Sequence, residues 1–221
     1  MRSQDNVVVA TSSIEPIWFR MPRADSGRGS SLDDMFATLS ELVDAYHAAT
    51  TPGDETARID ADHHLAGRTE ALKRAALIGG NAAAADLELL VRDSLLPFQF
   101  GEAHGISLHG PTVLLRPAPA LLLVLVLHEL VTNAIKFGAL GGTSRQHALE
   151  IAWEHRSHGV HFTWRETGVA ILTLGGQPRS GFGRKMIEST LPALSGAQAR
   201  FDLRPGGVDC TFFLPNTALL Y

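Results

Sequence analysis

Cysteine occurs once in this 221-residue chain, tyrosine twice and lysine three times. A lone Cys210 makes no internal disulfide, so a reducing compartment is the default, and its alternating apolar surroundings assign it to a core. Positive charge is not in excess: the formal net charge is −4, which removes the electrostatic footprint of a nucleic-acid binder. The apolar run at 121–127, "LLLVLVL", is only seven residues long and ends at His128-Glu129, too short to cross a membrane. The N-terminus lacks the apolar stretch of a secretory signal. These absences together predict a soluble, cytoplasmic chain with neither nucleic acid nor membrane as partner. What remains is a globular composition, 45% hydrophobic and 19% charged, enough for one substantial domain and something smaller. Two of the three lysines, Lys136 and Lys185, fall in the segments that carry chemistry below.

Residues 1–30 are rich in Ser, Arg and Pro and read as a flexible tail; Trp18 and Phe19 within it read as local packing. From 31 the pattern changes. Leu32, Met35, Phe36, Leu39, Leu42, Val43 and Tyr46 keep the 3–4 spacing of an amphipathic helix, with Ser30 or Ser31 as cap. "TTPGDE" breaks it, and a more polar helix follows to Gly79-Gly80. Such a hairpin alone leaves an apolar seam wet, which predicts a homodimer through residues 31–80.

The remainder reads as α+β, with helices on one face of a mainly antiparallel sheet. A helix runs through "AADLELLVRDSLLPF", short strands lie at "GISLHG" and "TVLLR", and a long helix spans 118–137. "ALEIAWEHR" and "VHFTWRE" form a hairpin around His158-Gly159. A helix at 183–194 and two closing strands, "ARFDLRP" and "GVDCTFFLP", complete the pattern.

Three segments belong together. "LHELVTNAIKFGAL" puts Glu129, Asn133 and Lys136 at i, i+4 and i+7, one stripe of a helix whose other side is apolar. "WRETG" ends a strand in an acid, Glu166, with Gly168 two residues on. "GFGRKMI" opens a helix with Gly181-x-Gly183. A nucleoside triphosphate needs one of each: an oxygen ligand for its Mg²⁺, a buried acceptor for the adenine amino group, and backbone N–H groups for the phosphates. The order of the three carries the reading, since each alone is weak.

These segments resemble the N, G1 and G2 boxes of the Bergerat ATP-binding fold. More narrowly, His128 with Trp164-x-Glu166 resembles the HWE family of bacterial histidine kinases, over roughly residues 32–215. The resemblance implies a two-helix dimerisation hairpin at 31–82 and a Bergerat-type ATP-binding α/β sandwich at 83–217. It implies ATP and Mg²⁺ as cofactors, with Asn133 the metal ligand. It also implies that Glu129 polarises the attacking group, Lys136 stands near the phosphates, and Glu166 reads adenine. Gly168 then gives the base close approach, and Gly181 and Gly183 form a phosphate-facing turn. His128 and Trp164 serve as family markers. The implied function is two-component phosphotransfer, with a response-regulator receiver domain or a partner kinase as partner.

Two positions depart from the family pattern. "ETGVA" puts Val169 where the family carries a second glycine. "SSLDD", residues 30–34, stands where the family has the phosphoacceptor histidine of His-Arg-x-x-Asn. His47, His63 and His64 are the other hairpin histidines and read as solvated surface. The chain is therefore read as a histidine-kinase-like ATP-binding signalling protein. The alternative is a pseudokinase adaptor that dimerises and docks a response regulator without catalysis. A relay phosphotransferase fits worst, because it would keep the histidine and lose the ATP boxes.

Overall fold

The computed structural model describes residues 32–50, 55–80, 84–96, 105–141, 147–169, 182–192 and 196–221; the N-terminal tail and its capping serines lie outside them, as does Gly181. In chain order the elements are α1 (Leu32–Thr50), α2 (Glu55–Gly80), β1 (Ala85–Asp86), α3 (Leu87–Leu95), β2 (Gly105–His109), β3 (Leu114–Leu115) and α4 (Pro117–Phe137). They continue with β4 (Ala148–Arg156), β5 (Gly159–Val169), α5 (Phe182–Lys185), β6 (Gln198–Arg204), β7 (Gly206–Pro215) and β8 (Leu219–Leu220). A π-helical turn, Met186–Thr190, prolongs α5.

Alternation builds the main sheet, in the order β2-β4-β5-β7-β6, antiparallel except where β2 runs parallel to β4. The hairpin around His158-Gly159 forms as expected and sets Ile151 opposite Trp164 and Leu149 opposite Glu166. One face of the sheet carries Ile151, Phe162, Trp164, Cys210 and Phe212, all buried. Phe162 stacks on Phe212 with centroids 4.3 Å apart, worth about 1 kcal/mol beyond the area it buries. Cys210 is core, and burial pushes its thiol up and out of reactive range. The opposite face is a charged ladder in which Arg165 lies 3.0 Å from Asp209 and 3.5 Å from Glu150. One apolar and one charged face place every helix on the same side, giving a two-layer α+β sandwich.

Helix α4 lies at the centre of that layer. Its first half is apolar all round, the pattern of a helix buried on every side, and residues 120–127 are all buried. By length and composition the whole 21-residue helix could span a membrane, which the seven-residue run alone does not suggest, yet 67% of its apolar window is buried inside the fold. It is a core helix. Helix α3 starts later than its apolar run, because Asp86 accepts from the Leu89 N–H at 3.1 Å and caps it. The two residues before Leu87 join instead a small sheet β1-β3-β8, whose third strand has no signal in the sequence beyond "ALL".

The hairpin α1–α2 forms, and part of its seam is covered. Leu39, Val43, Ala71 and Leu72 are buried in the same cluster as the leucines of α4. Those four residues find their cover within the chain.

Candidate functional site

Glu166 stands on the inner face of β5, two residues beyond Trp164, so both side chains point into the core. Its cross-strand neighbours are Leu149 and Val208. A carboxylate in that row must be paired or neutral. The Trp164 indole N–H donates to Oε1 at 2.9 Å, and the Ala139 backbone N–H donates to Oε2 at 2.8 Å. Burial pushes the Glu166 carboxyl above the usual range, and these two donors pull it back. The Trp-x-Glu pair therefore has a physical basis: an i, i+2 spacing on a strand lets the tryptophan orient the acid. Gly138, at the end of α4, leaves room for the arrangement, since a Cβ there would overlap Glu166 Oε2. Gly168 takes φ +77 and sits at a register shift between β5 and β7, a bulge beside the acid. Val169 ends β5 paired with Gly206, which itself takes the positive φ, so the valine that replaces the family glycine lies within a strand.

Glu129 turns elsewhere. Its carboxylate is buried and held by Arg68 of α2, with Nε 2.7 Å from Oε1 and Nη2 3.1 Å from Oε2. The guanidinium also lies 4.1 Å from the ring centroid of Phe182, which meets Tyr46 edge-on at 4.9 Å. Gly183 packs directly on Glu129, where a Cβ would stand 2.9 Å from the Glu129 Cβ. The glycine of the third segment thus allows α5 to lie against the acid of the first.

Lys136 faces α2 as well. Its Nζ is 2.8 Å from His64 Nε2 and 4.0 Å from Asp60 Oδ2. Between α2 and α4 lies a cavity of about 360 Å³, bordered by His63, His64 and Arg74 on one side and His128, Thr132 and Lys136 on the other. Burial lowers the His128 pKa to about 4, so this ring is neutral at pH 7. Gly67 packs on that ring, where a Cβ would approach its Cε1 to 2.9 Å.

The expected stripe is therefore divided. Glu129 meets Arg68 and Gly183, Lys136 meets His64, and half-buried Asn133 lies between them on α4 with no hydrogen bond among the described residues. Glu166 closes the far end at Gly138-Ala139, while Gly181 falls outside the described residues. Arg68, His64, Tyr46 and Phe182 were not singled out as site residues in the sequence. One signal existed: Gly67 in the middle of a helix costs about 1 kcal/mol against alanine unless something packs there.

No protein-family model matches the chain. Over 127 residues it is 31% identical to Blue-light-activated histidine kinase 1 of Erythrobacter litoralis (strain HTCC2594), an alignment covering 57% of this chain and 34% of that protein. This chain is a histidine-kinase homologue. A second match, to the Blue-light-activated histidine kinase of Brucella melitensis biotype 1, is 28% identical over 147 residues, covering 64% of this chain and 29% of the other. The chain thus spans about a third of the length of these relatives. The solved structure of the Erythrobacter litoralis EL346 blue-light activated histidine kinase superposes with a TM-score of 0.57 at 18% identity, covering 86% of this chain and 62% of that one. Its separate histidine kinase domain superposes with a TM-score of 0.54 at 17% identity, over 83% of this chain and 95% of that one. The homologue has the fold of a histidine kinase's kinase domain.

Proposed function

We propose that this homologue binds Mg²⁺–ATP and acts as a phosphotransfer kinase of two-component signalling. The observation that carries the reading is the arrangement along α4: a half-buried asparagine with no hydrogen bond among the described residues, a lysine three residues on, and a strand-end carboxylate at its terminus. The donor set suits the ligand. Asn133 offers Mg²⁺ a neutral oxygen and leaves most of its shell to water and phosphate. Among the described residues Glu166 accepts one hydrogen bond at each oxygen, and a carboxylate oxygen has room for a further donor such as an adenine amino group. Gly168 lets a base approach closely, Gly181 and Gly183 serve the phosphates, and Lys136 adds the charge that faces them. ATP supplies the phosphoryl group and Mg²⁺ the neutralising charge; the chain's part is to bind and orient them. Glu129 would polarise the attacking group only after Arg68 lets it go.

The proposal includes an organisation: a tail at 1–30, a hairpin at 31–82 and an ATP-binding unit at 83–217. Dimerisation through residues 31–80 and docking of a response-regulator receiver domain belong to it as well. A monomer in sedimentation at roughly tens of micromolar, the range in which weak interfaces assemble, removes the dimer. A second reading, a pseudokinase adaptor, is favoured by the absence of histidine at 30–34.

Titration with a fluorescent nucleotide, with and without Mg²⁺, tests the site. Binding should require Mg²⁺ and fall at least tenfold in Asn133→Ala with the fold intact. Unchanged affinity in that variant removes the Asn133 assignment, and no binding to the parent protein removes the nucleotide site.

A further inference from the structure

The head of α1 lacks a phosphoacceptor histidine, yet α2 delivers an imidazole to the polar stripe of α4. Asp60, His64 and Arg68 are spaced i, i+4 and i+8, so one face of α2 carries all three. That face is the one docked on α4: Arg68 grips Glu129, and His64 meets Lys136 one turn away. His47 is instead 3.1 Å from Asp62 within the hairpin, and His63 is exposed at the rim of the cavity.

The protonation of His64 follows from its partner. An ammonium only donates, so at 2.8 Å the imidazole Nε2 accepts and holds its lone pair toward Lys136, while the ring proton sits on Nδ1. Burial and the charges of Lys136 and Arg68 keep the ring neutral at pH 7. A neutral imidazole whose nucleophilic nitrogen points at the phosphate-side lysine is the group that phosphoryl acceptance needs. The adjoining cavity has room for a phosphoryl group; Lys136 and Arg74 border it together with Asp60 and Glu70, and Arg74 also lies 3.2 Å from Asp93.

We infer that His64 is the phosphoacceptor of this protein, taking the terminal phosphoryl group of a nucleoside triphosphate held on α4. This rests on the nucleotide site proposed above. The Nε2 lone pair forms an N–P bond to the γ-phosphorus as the bond from that phosphorus to the β,γ-bridging oxygen breaks. That electron pair leaves on the nucleoside diphosphate, and the ring sheds its Nδ1 proton to solvent. Lys136 moves its hydrogen bond from Nε2 to the phosphoryl oxygens. Helix α2 presents the acceptor to α4 of the same chain, so the reaction is in cis.

The experiment uses the full chain and three readouts. Nucleotide affinity is measured with fluorescent ADP. Label is followed with γ-labelled ATP and Mg²⁺, tested for acid lability and mapped by mass spectrometry. Imidazole ¹H–¹⁵N spectra are recorded with ADP and with a non-hydrolysable triphosphate.

The expected result is acid-labile label on His64, formed at a rate independent of protein concentration. It falls at least tenfold in His64→Gln with nucleotide affinity and melting temperature kept, and persists in His47→Gln. The His64 ring signal shifts with the triphosphate and much less with ADP. Nucleotide binding accompanied by no label, by label on another residue, or by undiminished label in His64→Gln overturns this inference alone. No nucleotide binding overturns it together with the site.

Discussion

Arg68 and Glu129, 61 residues apart in sequence, form a buried ion pair that fastens the helical hairpin to the core helix α4. Breaking such a pair from one side leaves an uncompensated charge inside, at a cost of about 3–5 kcal/mol, whereas replacing both partners with apolar groups is often neutral. Arg68→Ala should therefore lose about that much in a urea titration, and the double variant Arg68→Met with Glu129→Leu should recover most of it. A loss below about 1 kcal/mol for Arg68→Ala, the value of an exposed pair, would mean that α2 does not rest on α4 in solution.

Trp164→Phe keeps an aromatic ring in the core, leaves a cavity whose cost does not depend on pH, and removes the donor to Glu166 Oε1. An acceptor left short in a buried place costs about 1–3 kcal/mol. The sign with pH follows from the raised carboxyl of Glu166. A raised folded pKa favours the folded state at low pH, and loss of a donor to the ionised form raises it further. The deficit of Trp164→Phe should therefore be larger at pH 8 than at pH 4. Equal deficits at both values would show that the indole does not serve the carboxylate.

Gly138→Ala tests the seat of that carboxylate. The φ of Gly138 is −121, outside the left-handed region, so the change is opposed by contacts: the new Cβ overlaps Glu166 Oε2 and comes within 2.8 Å of the Ala134 Cα. The acid must swing away, at a cost of about 1–3 kcal/mol for an overpacked site. Nucleotide affinity should drop with it if Glu166 reads the base. Full stability in thermal melts would contradict the close approach.

His128 gives a pH test of the packing between α2 and α4. Its pKa falls from 6.5 to about 4 on folding. A group depressed in this way contributes stability that is whole above pH 6.5 and is lost as pH falls toward 4. Between those values one such group changes stability by about 1.4 kcal/mol per pH unit. His128→Gln should flatten that part of the curve, leaving a remainder from His64, whose pKa shifts in the same direction. A curve unchanged by the substitution would place the titration elsewhere.

Sequence alone determined the features governed by neighbours a few residues apart. The strand alternation of 148–156 and 160–166, the apolar wrap of α4, and the break at "TTPGDE" all follow from period and turn chemistry. Glu166 beside Trp164 was legible for the same reason, because an i, i+2 pair on a strand shares a face wherever the strand lies. Helix α3 was misread at its start, since Asp86 caps it only once β3 has drawn the preceding residues into a sheet.

Tertiary structure decided which surfaces meet. His64 reads as solvated surface on a polar helix, and nothing local says that it will reach Lys136 or that Arg68 will be buried on Glu129. Those contacts join residues 61 and 72 positions apart, and they form because Leu39, Val43 and Leu72 find their apolar cover on α4. Burial of the seam sets the docking, and the docking sets the polar partners. Helical period shows which residues share a face; only the packed core shows what that face will touch.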